Sequence, residues 1–292
     1  MPRLLQICRW LCCTIFLLPI SPAIANDYAA MSHDKPYPFG VLNQRSVTLT
    51  AEYWNPILRY VSQKSGIPLT LRIARTANET TDMAVRGELA FVYTNHLFTP
   101  GRDKLGYTVL ARQEGEPIQG QIVVATNSPI QDLAALEGQK VAFANPYGFV
   151  GYFVPMDKLL RDKVTVNPVF MGNQEAAIGQ LRAGRVMAIG VNHKAMADFA
   201  RREDFTYRVV WTSEPYFDLA VMAHPSVPAK LREKLRDAMV NMKSDPEGLA
   251  ALTQAAKALE LPKPRGFVAA TDRHYDNYRA FFRHTLVPLD NQ

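Results

Sequence analysis

The sequence predicts an α/β protein of two lobes joined by two crossing segments, with a cleft between them. Three observations carry this. Short apolar runs alternate with helical periodicity in two separate blocks, the pattern of parallel sheets with crossover helices. In the second block a buried run meets a proline and two glycines before a helix begins. The chain then closes with a helical return.

Residues 37–42 read as the opening strand, followed by a polar turn, Asn43-Gln44-Arg45-Ser46. Trp54, Ile57, Leu58 and Val61 fall at i, i+3, i+4, i+7 and predict a helix, with Gly66 where a C-terminal cap belongs. A second strand spans 69–73. Arg75-Thr76-Ala77-Asn78 leads into a short helix ending near Gly87, and 89–93 is a third strand running into Thr94-Asn95-His96. Ligands of such sheets bind beyond the carboxyl ends of the strands. Gln44, Arg45, Arg75, Thr76, Thr94 and Asn95 are therefore candidates along one rim, the arginines as bidentate donors to an anion.

Further strands are expected at 107–112 and 121–125, and Ser128-Pro129-Ile130 caps and opens a short helix. The run 140–144 is a buried strand without polar alternation. Asn145-Pro146 breaks it, because the residue before proline is pushed out of the helical region. Gly148 and Gly151 allow a tight turn, and Phe153, Met156, Leu159 and Leu160 set a helix over 152–161. Free N–H groups and the helix dipole at such a corner favour an anion; a plain connection with no ligand has the same pattern. Next come a strand at 167–171 and a helix at 174–183 between Asn173 and Gly184. A strand at 186–191 ends in Asn192 and His193, which open another helix. Strands at 208–211 and 218–223 flank Ser213-Glu214-Pro215-Tyr216, which reads as hinge. Leu231, Leu235, Ala238, Met239 and Met242 make a helical stripe with Ser226 as cap and Pro228 in its first turn, and Asp245-Pro246 starts a further helix.

Residues 1–25 read as a secretory signal peptide: Arg3 and Arg9, an apolar core at 11–20, then Ala23-Ile24-Ala25 as cleavage site. Cys8, Cys12 and Cys13 all lie inside it, so a processed chain has no disulfide, thiol nucleophile or cysteine metal site. Roughly 267 residues remain, enough for two lobes. The formal charge is +6, two of it from Arg3 and Arg9, and the basic residues are dispersed, so no nucleic-acid arm is expected. There is no Gly-x-Ser-x-Gly elbow, His-Glu-x-x-His or phosphate-binding Gly-x-x-x-x-Gly-Lys, and the six histidines lack metal-ligand spacing. No enzymatic activity, cofactor or metal is expected.

An ordered set of motifs carries a resemblance. It comprises Phe39-Gly40-Val41, the run 88–95, Ser128-Pro129-Ile130 with Leu133 and Leu136-Glu137-Gly138, Lys140-Val141-Ala142-Phe143, Gly172 through Glu175-Ala176-Ala177, and Ser213-Glu214-Pro215. From Phe39 to about Tyr278 the chain resembles the phosphonate-binding branch of the periplasmic substrate-binding proteins. That resemblance implies a type II periplasmic binding protein fold, with one lobe from 37–122 and 216–292 and the other from 123–215. It implies capture of a small anionic ligand, a phosphonate- or phosphate-like oxyanion or organic acid, by lobe closure in the periplasm, for delivery to an ABC transporter permease. The expected state is a monomer. An extracytoplasmic sensor partnering a histidine kinase or chemoreceptor is the alternative, and a secreted hydrolase a second one.

One departure stands out. Where the family carries Asp-Pro, a small residue and Ser-Thr-Ser-Gly, this chain reads Asn145-Pro146-Tyr147-Gly148-Phe149-Val150-Gly151, so the three hydroxyls are gone. Backbone N–H groups at Gly148, Val150 and Gly151 remain as donors, and Tyr147, Phe149 and Tyr152 are cleft aromatics, with Phe149 equally readable as core. Tyr93, Thr94 and Asn95 are supported by both position and resemblance. Glu175 holds the family's acidic position and otherwise stabilises its helix N-terminus. Asn192 repeats the strand-end logic in the second lobe, and Tyr216 extends from the hinge toward the ligand.

Overall fold

The computed structural model describes residues 35–42 and 46–289. The signal segment, Gln44 and Arg45 lie outside the described residues. The elements run β1 (Tyr37–Val41), α1 (Val47–Ser65), β2 (Leu69–Arg72), α2 (Ala77–Val85), β3 (Phe91–Thr94), α3 (Pro100–Asp103), β4 (Thr108–Gln113), β5 (Gly120–Ala125), β6 (Lys140–Phe143), α4 (Val154–Arg161), β7 (Asn167–Phe170), α5 (Gln174–Arg182), β8 (Ala188–Asn192), α6 (His193–Glu203), β9 (Tyr207–Thr212), β10 (Ala220–Ala223), α7 (Ala229–Val240), α8 (Pro246–Ala258), β11 (Phe267–Ala269) and α9 (Asp276–His284).

They build two sheets. The first has six strands in the order β11-β4-β10-β3-β1-β2, the second five in the order β7-β6-β8-β5-β9. Parallel pairing joins β1 to β2 and β3, and β6 to β7 and β8; β10 and β5 pair antiparallel with their neighbours. The chain passes between the sheets after β4 and again after β9. There the two crossing segments hold each other through reciprocal backbone bonds, Ile118 N–H to Tyr216 C=O at 2.7 Å and the reverse at 2.8 Å.

Local sequence explains most elements. Ser46 caps α1, its hydroxyl accepting the Leu49 N–H at 3.3 Å, and Gly66 ends the helix at φ 69. Ile57 and Val61 are fully buried on its inner face, each contributing about 1.5–3 kcal/mol relative to exposure. Elsewhere the structure corrects the sequence. Ser128 opens no α-helix; the segment holds only a 3-10 turn, Ala134–Leu136. Ser226 does not cap α7, whose N-cap position is Pro228, because its hydroxyl bonds the His224 ring at 2.6 Å. Strand β11 had no sequence signal beyond three residues.

The helix expected from Tyr152 starts earlier, as a π-helical turn, Phe149–Phe153, running directly into α4. This turn lies hard against the second sheet. A Cβ on Gly120 of β5 would stand 2.5 Å from the Val150 carbonyl oxygen, and one on Gly190 of β8 would strike the Phe143 ring and approach the Gly151 carbonyl oxygen to 2.9 Å. The two glycines therefore set how deeply the turn is seated.

Apolar side chains from both sheets share one cluster, in which Val92 and Met222 of the first join Ile122, Val141 and Phe143 of the second. A further tie comes from the C-terminal strap after α9. The buried Asp157 carboxylate of α4 accepts from the Thr285 hydroxyl at 2.9 Å and the Leu286 N–H at 2.7 Å, while Arg161 donates to the His284 carbonyl. Among the described residues no helix is long and apolar enough to cross a membrane.

The Gly120→Ala variant is expected to lower the thermal unfolding midpoint by the equivalent of about 1–3 kcal/mol, the usual cost of overpacking a close contact. An unchanged midpoint in differential scanning calorimetry would contradict the tight seating of the turn.

Candidate functional site

The carboxyl ends of β1 and β3 and the N-termini of α1 and α2 form the rim of the first sheet, and those of β6 and β8 the rim of the second. Between them lie the crossing segments. The loop Asn145 to Gly148 is organised by an Asx turn in which the Asn145 carboxamide oxygen accepts the Tyr147 N–H at 3.0 Å. The first N–H groups of the helical segment after it have no intrahelical partner. Asn145, Pro146, Tyr147 and Gly148 are half-buried, whereas Phe149, Val150 and Gly151 are buried.

Opposite this loop, Arg102 of α3 donates to the His96 carbonyl at 3.2 Å. Burial lowers the Arg102 pKa and the Asp82 carboxylate opposes the shift, with the Tyr147 side chain of the second lobe's loop within electrostatic reach of the guanidinium. His96 bonds the Thr81 hydroxyl through Nδ1 at 3.0 Å. Burial, reinforced by the Arg102 charge, pushes its pKa down to about 4.

The second group of charges sits where β10 begins. Asp218 accepts the Leu219 N–H at 2.9 Å. Burial raises its carboxyl pKa, and that N–H with the charges of Lys194, Arg265 and His193 opposes the rise. Lys194 belongs to α6 and donates to the Glu116 carbonyl at 2.5 Å. His193 is fixed by the Gln119 N–H, which its Nδ1 accepts at 2.9 Å, so its neutral ring keeps a proton on Nε2. Burial lowers its pKa. Groups of both lobes thus act electrostatically on the Asp218 carboxylate of the crossing segment.

The candidates from sequence divide. Tyr147 and Gly148 lie on the second rim, and Asn192 beside it caps α6 by accepting the Lys194 N–H at 2.9 Å. Thr94 and Asn95 are buried at the end of β3; Thr94 accepts the His96 N–H at 3.0 Å and Asn95 donates to the Tyr278 hydroxyl at 3.5 Å. The Tyr93 ring packs 4.8 Å from that of Trp54. Thr76 caps α2, and Arg75 is exposed at the same helix start, its N–H bonded to Glu79. Phe149 is core: its ring stacks on Tyr278 at 4.0 Å and meets Tyr216 edge-on at 4.8 Å, so both Phe149 and Tyr216 belong to an aromatic cluster behind the hinge. Tyr152 packs against Phe143 and Phe170. Glu175 is exposed and paired with Arg202 at 3.1 Å.

Sequence reasoning missed Arg102, Asp218, Lys194 and Arg265. Asp218 was visible only as the first residue of a strand, and Arg102 only as the basic residue of Pro-Gly-Arg; nothing local marks Lys194 or Arg265. Among the described residues no group of histidine and acidic side chains could hold a metal.

Comparison with known proteins follows the same line. Residues 39–275 match the family model described as the periplasmic substrate-binding protein of phosphonate ABC transporters. A search of curated proteins returned no match. Among solved structures, an ATP-bound protein of Xanthomonas citri is 18% identical, with 85% of this chain and 96% of that one covered at a TM-score of 0.69. PhnD1 from Prochlorococcus marinus in complex with methylphosphonate is 15% identical over 85% and 97% of the chains, with a TM-score of 0.66. A binding protein component of an ABC phosphonate transporter from Pseudomonas aeruginosa gives 16%, 85%, 86% and 0.65. At these identities the structural likeness establishes the fold, which is that of the type II periplasmic binding proteins.

The His96 shift has a consequence for stability. In the unfolded chain the imidazole titrates near 6.5, so the unfolded state takes up a proton first. Stability tied to neutral His96 is complete above about 6.5 and is lost as pH falls toward about 4. The unfolding midpoint of the native chain is expected to drop more steeply from pH 7 to 4.5 than that of His96→Gln; parallel curves would contradict this.

Proposed function

The chain belongs to the family of periplasmic substrate-binding proteins of phosphonate ABC transporters, and we propose that its own ligand is a compact phosphonate-like oxyanion held in the cleft. The observation that carries this reading is the convergence of cations from both lobes on the crossing segment. Lys194 comes from the second lobe and Arg265 from the first, both acting on Asp218, with Arg102 opposite Tyr147.

The loss of the family's hydroxyls gives these cations their importance. A ligand oxygen left without a donor costs about 1–3 kcal/mol. Tyr147, Phe149 and Val150 offer no aliphatic hydroxyl, so the backbone N–H groups of 148–151 need help from charge. Binding works by population shift: the ligand stabilises the state in which both lobes touch it. In this account the lobes comprise 37–122 with 216–292 and 123–215, and the hinge is the pair of crossing segments. Solved structures of this fold hold methylphosphonate in one case and ATP in another; the cleft charges here fit the smaller head group.

The family is one of transport rather than catalysis, so the partner is the permease of an ABC transporter and the compartment the periplasm, reached by cleavage of the leader after residue 25. The comparisons do not favour the sensor alternative.

Thermal unfolding against methylphosphonate, phosphite, phosphate, alkyl sulfonates and simple carboxylates tests this reading. A ligand at a hundred times its dissociation constant adds about 2.7 kcal/mol of stability. An upward shift with a phosphonate is expected, together with at least tenfold weaker affinity in Lys194→Ala by calorimetry. No shift with any oxyanion would overturn it.

A further inference from the structure

Beside the cleft, a cavity of about 110 Å³ opens in the first lobe between α1, β3 and the loop at 259–265. Leu49, Trp54 and Leu261 give it apolar walls, while Tyr53, Tyr93, Gln113 and Arg265 bring polar groups to it. Val41 and Leu42 at the carboxyl end of β1 also line it, with Leu49 and Thr50 in the first turn of α1 and Tyr93 of β3, so the cavity opens at the rim of the first sheet, where Arg265 is exposed.

The polar groups carry more donors than acceptors. Tyr93 donates its hydroxyl to the Gln113 carboxamide oxygen at 3.3 Å, and the Gln113 amide nitrogen donates to the Tyr53 hydroxyl. One phenol thus faces the oxygen end of the amide and the other its nitrogen end. Whichever way the amide is turned, one phenolic O–H is left over. No acceptor for it stands among the described residues, nor does any carboxylate among them pair with Arg265. A spare hydroxyl proton and an unpaired guanidinium at one small cavity are the complement of a carboxylate, which accepts from both. An alkyl chain would leave both unanswered.

We propose that this cavity binds the carboxylate end of a ligand whose oxyanion head lies in the cleft, so that the substrate class is a short phosphonocarboxylate. The volume agrees: at roughly 30 Å³ per small group, about three or four non-hydrogen atoms fit, as in a carboxymethyl unit. This rests on the reading of the cleft as an oxyanion site and narrows it.

Isothermal titration with phosphonoacetate and 3-phosphonopropionate, each beside the alkylphosphonate of matching length, tests the assignment. The carboxylated ligand is expected to bind at least tenfold tighter than its alkyl counterpart. That preference should disappear in Arg265→Ala, an exposed position where folding is not at risk, and shrink in Tyr53→Phe, a variant in which methylphosphonate affinity changes less than threefold. Alkyl and carboxylated phosphonates binding equally, or a preference that survives Arg265→Ala, would overturn the carboxylate site and leave the cleft reading standing. Failure of every phosphonate to bind would remove both.

Discussion

The close approach of the Phe149–Phe153 turn to strands β5 and β8 is the constraint from which the rest of the site follows. Side chains at Gly120 or Gly190 would push the turn outward, since the Val150 and Gly151 carbonyls already fill that space. With the turn seated, Phe149 reaches Tyr278 and Tyr216 and ties the second lobe's loop at 145–148 to the C-terminal helix and to a crossing segment. The same seating holds the helix start, with its unpaired N–H groups, at the strand ends. Packing behind the hinge and donors in front of it are two faces of one turn.

The aromatic substitutions in that loop trade one kind of recognition for another. Hydroxyl side chains would give a hydrated anion short, directional bonds. Phe149 and Val150 instead feed the core, and in the proposed site selectivity passes to more distant charges, Arg102, Lys194 and Arg265. Such charges act over longer range and with less angular discrimination than hydroxyls, so shape must supply the rest. The small cavity beside Tyr53 and Gln113 is where shape is available.

Most of the fold was legible in the sequence because it rests on local patterns. The i, i+3, i+4, i+7 spacing of α1, the Asn173 cap of α5 and the buried run of β6 all mean in the structure what they mean in isolation. Local signals failed where a tertiary partner took the residue. Ser226 gave its hydroxyl to His224, and the segment after Ser128 found only a 3-10 turn. The site was half legible. Strand ends and the glycine loop could be placed by the rule for open parallel sheets, which brought Tyr147, Gly148 and Asn192 to a rim. Asp218 with Lys194 and Arg265 could not, because the three come from a crossing segment and two lobes and come within electrostatic reach only after folding. Glu175 shows the converse: a position inherited from resemblance, with its carboxylate engaged by Arg202 on the surface.

The central claim is that binding an oxyanion draws the two rims together, and an intramolecular distance measures it directly. Spin labels on cysteines placed at Arg75 and Glu175, both exposed, would report the span between the lobes by pulsed electron resonance in a chain begun at residue 26, which carries no other cysteine. Saturating phosphonate should replace a broad, long distance distribution with a shorter, narrower one. Calorimetrically verified binding with an unchanged distribution would contradict closure and leave a rigid site in its place.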